Sequence, residues 1–372
     1  MVAAENSAET YAVQVVREFA AQGGGARFWG VGGERLRAAG CETVVDNRSL
    51  AVVGIFEVLA HLWRIRRVMM RIRRLARERR ADAALLIDYP DFNLRLARRL
   101  RRAGIPVFYY ISPTVWAWRY RRVRQIRRWV DRLFIIFPFE RAIYEREGVT
   151  FTFTGHPLLQ EVRPSEGREA FRGRFGVGAG DRLLALLPGS RDSEVQRLLP
   201  EILAAVARLR LEAPLKVFLL RAQNIHPQRL AAAADPGIRI LEQEEGHALL
   251  QAADAVITTC GTSNLEAALL GAPFVAIYKI HPLTYFLGRP FLRIRLYSIV
   301  NILAGRQVAA ELIQGECRPG PICAETKKLL DDPGRCEEMR GEFRRIAASL
   351  RQEARPAEII YRQILADLDK KT

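Results

Sequence analysis

A chain of 372 residues, 49% hydrophobic and 27% charged, has globular composition and is longer than one core ordinarily holds, so two domains are expected and a repeat array or an extended disordered tract is excluded. The net charge of +17, carried by 52 arginines and only six lysines, calls for an anionic partner such as nucleic acid, membrane headgroups or a phosphorylated substrate, although a compositional arginine bias alone would give the same excess. Five cysteines without a C-x-x-C pair argue against a disulfide framework or zinc site and fit a reducing cytoplasm, while no apolar run approaches the roughly 20 residues of a spanning helix and no secretory segment follows Met1.

The first half alternates short apolar runs with arginine-rich helical stretches, and strands are expected over 26–31, 83–87, 107–111 and 133–137. Between the first two, Leu62, Ile65, Met69 and Ile72 recur at helical spacing among Arg64, Arg66, Arg67, Arg71, Arg73 and Arg74. That signature suits an interfacial membrane helix, a nucleic-acid groove, or a buried helix with a solvated basic face. Directly after 83–87 come Asp88, Asp91 and Asn93 around Pro90. Asp88 stands where a catalytic base would meet a ligand beyond a strand's carboxyl end, and Pro90 is expected to hold the following residues out of a helix. The plain alternative has Asp91 capping the next helix. Gly104 followed by Ile105-Pro106 ends one helix and restarts an extended run. The aromatic stretch 108–118 reads as core before platform, and His156, alone between Gly155 and Pro157, reads as structural.

Periodicity dissolves between 155 and 181, which is where the domain boundary is expected. Strands resume at 183–187, 216–220, 238–241, 255–259 and 274–278. The expected domains are 1–160 and 161–330, with 331–372 as helices packing back on the body. Both are read as doubly wound Rossmann-like α/β domains whose ligands bind beyond the carboxyl ends of the strands. Gly189 would let backbone approach a diphosphate held by Ser190, the free helix N–H groups and Arg191; equally, Ser190 or Asp192 would simply cap the helix. Gly261 and Thr262 open a second such turn, where Glu266 could accept ribose hydroxyls, but Ser263-x-x-Glu266 is also a capping box. A second basic and apolar stretch, 282–302, mixes Tyr285, Phe286, Phe291 and Leu292 with Arg289, Arg293 and Arg295.

Nine motifs in order resemble the lipid-A-disaccharide synthases, inverting glycosyltransferases of GT-B architecture, in which two such domains face a cleft. They are Gly30-Val-Gly-Gly33 with Ala39-Gly-Cys41, the run 50–59, Ile87-Asp-Tyr-Pro-Asp-Phe-Asn93, Ser112-Pro-Thr-Val-Trp-Ala-Trp118, Phe137-Pro-Phe-Glu140, Gly155-His-Pro157, Leu187-Pro-Gly-Ser-Arg191, Gly261-Thr262 with Leu265-Glu266, and Asn301-Ile-Leu-Ala-Gly-Arg306. The resemblance implies transfer of a 2,3-diacylglucosamine unit from UDP-2,3-diacylglucosamine to the 6-hydroxyl of 2,3-diacylglucosamine 1-phosphate, without metal or cofactor. It makes Asp88 the candidate base and gives the UDP site to Gly189, Ser190, Arg191, Gly261, Thr262, Glu266 and Asn301. It also makes Phe56, Val58, Leu59, Leu62 and Ile65 membrane-facing, at the anionic cytoplasmic leaflet of the bacterial inner membrane, with a homodimer as the assembly and no specific nucleic-acid partner. The alternatives are another GT-B UDP-sugar transferase or epimerase, and a non-catalytic basic binder, which would have no need to keep Asp88, Arg191 and Glu266. Two departures stand out. The family's first strand is mostly absent ahead of Ala4-Glu-Asn-Ser-Ala-Glu9, where alanines replace the glycines of a Gly-Glu-Thr-Ser-Gly-Asp loop and would cost it positive-φ freedom, leaving Glu5 and Ser7 as candidate contacts. Val300 replaces the family's usual proline.

Overall fold

Short runs of Leu, Ile, Val, Phe and Tyr between basic helices become parallel strands covered on both faces, the burial that a βαβ crossover imposes. The computed structural model describes residues 1–370 apart from 24, 48–57 and 234. The chain divides into two units, Met1–Pro157 with Leu350–Thr372, and Leu158–Ser349.

The first unit is built on β1 (Val2–Ala3), β2 (Trp29–Gly32), β3 (Glu42–Asp46), β4 (Ala84–Ile87), β5 (Val107–Tyr110), β6 (Arg132–Ile135) and β7 (Phe151–Phe153), in the order β3-β2-β1-β4-β5-β6-β7. The two-residue pleat sorts side chains to opposite faces. Leu86, Val107, Tyr109, Leu133 and Ile135 join the core under the helices Val58–Glu78, Pro90–Arg101 and Arg122–Trp129, while Leu85, Ile87, Phe108, Tyr110 and Phe134 face the helices Asn6–Ala21 and Pro356–Asp369. The last helix is tied down by Tyr361 edge-on to Phe19 at 4.7 Å and by an Arg132–Asp367 ion pair at 2.5 Å.

The first strand is two residues long, the remnant expected from the sequence. Val2 pairs with both Val31 and Leu86, and Ala3 with Ile87, so two residues hold an interior position, third of the seven strands. Neither Ala4 nor Ala8 needs a positive φ, because Ala8 is already inside the helix Asn6–Ala21. The expected cost of losing those glycines therefore does not arise in this conformation.

The second unit carries β8 (Arg182–Leu187), β9 (Leu215–Leu220), β10 (Ile238–Leu241), β11 (Ala255–Thr259), β12 (Phe274–Tyr278) and β13 (Glu311–Ile313), ordered β10-β9-β8-β11-β12-β13. The helix Pro333–Ser349 packs on this unit: Phe343 stacks on Phe274 at 5.6 Å. Only the segment from Leu350 onward rejoins the first unit. Each sheet reverses its strand order at one place, between β1 and β4 and between β8 and β11, which is where a doubly wound sheet opens a crevice for a ligand.

Candidate active site

In the first unit the crevice at β1 and β4 brings the Ala4–Glu5 turn beside Asp88. Asp88 and Tyr89 both adopt left-handed backbone, φ 49° and 47°, conformations that non-glycine residues hold only when their surroundings impose them. The restraint is visible: the Asp88 carbonyl accepts from Tyr109 Oη at 2.6 Å and from Asn93 Nδ2 at 2.7 Å, and Asn93 Nδ2 also reaches the Ile87 carbonyl at 3.1 Å. Asn93 is fully buried. The strand is thus turned sharply at Asp88, and the backbone that carries its carboxylate is fixed at the strand's end.

Pro90 works differently from the sequence expectation. It occupies the first position of the helix Pro90–Arg101, where its missing N–H is no loss, and Tyr89 is the N-cap residue. Asp91 does not cap this helix; it pairs with Arg122 at 2.5 Å and Arg119 at 3.0 Å. Burial raises the Asp88 carboxyl to about 6, with the Glu5 carboxylate adding to the rise and the Tyr89 N–H opposing it. A carboxylate poised near neutrality suits proton abstraction. Ser7 lies exposed in the first turn of the helix Asn6–Ala21.

Beyond β5 and β6 lies a second buried carboxyl that the sequence did not single out. Glu140 is 1% exposed, accepts from Phe137 N at 3.2 Å, and is raised to about 8 by burial, with the Phe137 N–H and the Ser112 hydroxyl opposing. Ser112 in turn hydrogen-bonds Tyr144. The network ties the Ser112–Trp118 motif to the Phe137–Glu140 motif. His156 is held neutral, its pKa pushed down to about 3 by burial, and its backbone N donates to Leu350 O at 3.0 Å. Gly155, at φ 75°, lies where a Cβ would come within 2.7 Å of the same carbonyl. The Gly155-His-Pro157 motif therefore serves the return of the C-terminal segment.

In the second unit, the loops after β8 and β11 flank the other crevice. Gly189 has φ 121°, and any side chain there would run into Glu194. Arg191 is the N-cap residue of the helix Asp192–Glu212 without a side-chain cap; neither Ser190 nor Asp192 caps it, and Asp192 pairs with Arg229 instead. The Glu194 carboxylate fills the anion position, accepting from Ser190 N at 3.2 Å and from Arg191 Nη1 at 3.0 Å. Tyr278, at the end of β12, is raised by burial and then by Glu194, with Arg191 opposing, which puts its phenol at the same place.

The capping-box alternative at the second turn does not hold. The helix Thr262–Leu269 is capped by Gly261, and the Ser263 hydroxyl turns back to Thr258 Oγ1 at 2.8 Å and Thr259 O at 3.3 Å. Gly261 and Thr262 are exposed, and Glu266, raised by burial with His247 opposing, is left for another task. Asn301 is a correction. It is fully buried, donates to Ala309 O and Glu311 Oε1 at 2.8 and 2.7 Å, and accepts from Val308 N and Ala309 N at 2.8 and 2.9 Å. All four of its hydrogen bonds are spent inside the protein, so it shapes the 308–311 segment and has no capacity left for a nucleotide.

The basic helix Val58–Glu78 also differs from expectation. Met69 and Ile72 are buried and Ile65 packs partly buried against the same core, so this stripe faces inward. Phe56 lies outside the described residues, as do the side chains of Val58, Leu59 and Leu62. Among the described side chains of this helix, the large apolar groups that stand out to solvent are Trp63 and Met70. No helix among the described residues is long and apolar enough to cross a membrane.

Residues 1–365 match the family model described as Lipid-A-disaccharide synthetase. Over 346 residues the chain is 44% identical to the lipid-A-disaccharide synthase of Geobacter sulfurreducens, covering 91% of this chain and 89% of that one. Among solved structures, the fold is similar to a UDP-GlcNAc 2-epimerase from Neisseria meningitidis bound to UDP-GlcNAc (TM-score 0.64, 10% identity, 96% of this chain and 97% of the other). It is also similar to CalG4, the calicheamicin glycosyltransferase (TM-score 0.60, 17% identity, 96% and 94% covered). At these identities the solved structures speak for the GT-B fold alone.

Proposed function

From the premise that the chain belongs to the lipid-A-disaccharide synthase family, and is a glycosyltransferase of lipid A biosynthesis, we propose how its residues divide the reaction. Asp88 takes the proton from the 6-hydroxyl of 2,3-diacylglucosamine 1-phosphate as that oxygen attacks the anomeric carbon of UDP-2,3-diacylglucosamine. The bond from that carbon to the diphosphate oxygen breaks, its electron pair leaves with UDP, and the configuration inverts to the β(1→6) disaccharide. The Ser190 N–H and Arg191 guanidinium, with the Thr262 N–H, receive the diphosphate charge, and Glu266 accepts from the ribose hydroxyls.

The observation that carries this reading is the fixed, half-buried Asp88 with its carboxyl near 6. The test is Asp88→Asn: kcat should fall about 10²–10⁴-fold while UDP affinity is kept, the signature of a lost general base. Near-normal turnover in that variant overturns the assignment.

The reading includes a place at the cytoplasmic face of an anionic membrane, supported by the arginine field of the first unit. Arg99 is pushed down by burial and then by Arg66, Arg98, Arg73 and Arg95, a crowd of like charges that gains from nearby anions. Trp129 lies under the guanidinium groups of Arg98, Arg102 and Arg128, and Trp63 under that of Arg67. Exposed Trp63 and Met70 add apolar groups to the same basic helix.

A further inference from the structure

The stretch that follows β12 takes no part in the reaction just described. The helix Pro282–Gly288 and the 3-10 turn Arg289–Phe291 that continues it bury no residue at all. Leu283, Phe286, Leu287 and Phe291 are 60, 75, 60 and 71% exposed, four of the ten large hydrophobics exposed among the described residues, gathered within nine positions. Scattered single apolar residues are ordinary on a surface; such a cluster is not. Leu283, Phe286 and Leu287 follow the i, i+3, i+4 spacing that places them on one face of the helix.

The segment is anchored rather than loose. The His281 ring accepts from Leu283 N at 3.3 Å, the Tyr285 and Tyr297 side chains hydrogen-bond each other, and Tyr297 N and Ser298 N donate to Glu311 at 2.9 and 2.8 Å. Its charge is one-signed: Arg289, Arg293 and Arg295 are exposed, and no Asp or Glu occurs between Glu266 and Glu311. Exposed leucines and phenylalanines bordered by arginines, with no acid among them, complement a surface that is anionic outside and apolar just beneath. Single-stranded nucleic acid would use the arginines and stack on the aromatic rings but has no use for Leu283 and Leu287.

We propose that 282–295 is a second membrane-docking element, carried by the second unit, that inserts Leu283, Phe286, Leu287 and Phe291 into an anionic lipid bilayer with Arg289, Arg293 and Arg295 at the headgroups. This goes beyond the reading above, which places lipid contact in the first unit alone. The test therefore reads binding and not turnover, so its failure leaves that reading standing. Full-length protein is co-sedimented with vesicles of phosphatidylglycerol and phosphatidylethanolamine, and with phosphatidylcholine alone. Replacing all four apolar residues by Ser should lower the partition coefficient into anionic vesicles by about tenfold or more, since interfacial binding scales with apolar burial. Leu211→Ser, which alters an 88% exposed leucine near the end of the helix Asp192–Glu212, should leave it unchanged. Arg289, Arg293 and Arg295 changed together to Gln should weaken binding to anionic vesicles only. Phe286→Trp should gain fluorescence quenching by lipids brominated along the acyl chain, a readout that stands even if the fourfold variant fails to fold. A folded fourfold variant that partitions like wild type overturns the proposal. So does a Phe286→Trp protein that binds vesicles without added quenching, or a fourfold variant that loses only oligonucleotide binding or only self-association.

Discussion

If Asp88 is the base, the rate must follow its ionisation. With its carboxyl near 6, about nine-tenths is ionised at pH 7 and about one-tenth at pH 5, so kcat/KM should fall roughly tenfold between them. An ordinary aspartate near 3.8 would stay more than about nine-tenths ionised at pH 5, and the rate would barely move. The acceptor's phosphate monoester titrates close to 6 as well, so the wild-type profile alone does not assign the limb. Glu5→Gln assigns it. Removing the neighbouring negative charge makes Asp88 easier to ionise, so the acidic limb should move to lower pH while the substrate's own titration stays where it was. The assay is the initial rate of UDP release across pH 5 to 8, with circular dichroism at each end to establish that the fold holds. A limb that stays in place in Glu5→Gln, or moves upward, refutes the reasoning.

Other outcomes follow from single side chains. Asn301→Ala should cost about 2–4 kcal/mol in denaturant unfolding, because it strands buried partners at 308, 309 and 311, and any loss of UDP affinity should track that loss of structure. Glu140 keeps its proton in the folded protein up to about 8 but loses it near 4.5 when unfolded, so wild-type stability from this group is whole below 4.5 and falls by about 1.4 kcal/mol per pH unit up to about 8. Glu140→Gln should therefore flatten the pH dependence of Tm, and the gain over wild type should be larger at pH 8 than at pH 5. On the basic helix, Trp63→Ser with Met70→Ser should reduce liposome binding at unchanged Tm, whereas Ile65→Ser should lower Tm. The opposite pattern would return the inward stripe to the membrane.

Much of this architecture is legible because nine strands are apolar runs bounded by Gly, Pro or charge. The strands that escape are β1, β3, β7 and β13; three of these hold two or three residues and β3 reads Glu-Thr-Val-Val-Asp, so none offers a periodic signal. The site divides in the same way. Of the residues proposed for it, Asp88, Gly189, Arg191 and Gly261 stand out as polar residues or glycines just beyond strand ends, and Glu266 in the helix that follows one, where chemistry collects in such sheets. Asn301 misleads because its motif gives no sign of whether its amide turns inward. Glu140 and Tyr109 pass unnoticed because their roles depend on contacts across neighbouring strands, which no local pattern encodes. The stripe of Ile65, Met69 and Ile72 is ambiguous by nature: helical spacing fixes which residues share a face but not what lies against it.

Glu194 bears on the pace of the catalytic cycle. Its carboxylate already satisfies the Ser190 N–H and the Arg191 guanidinium, so these two groups are neutralised from within the loop. If the diphosphate binds here as proposed, it must displace an internal rival, and a departing UDP leaves behind a loop that closes on itself. Such a rival trims affinity for both the sugar nucleotide and the spent nucleotide, and it shortens the residence of the latter. An enzyme whose leaving group carries the same diphosphate as its donor gains by this: the groups that gather charge during transfer do not become a trap once transfer is over.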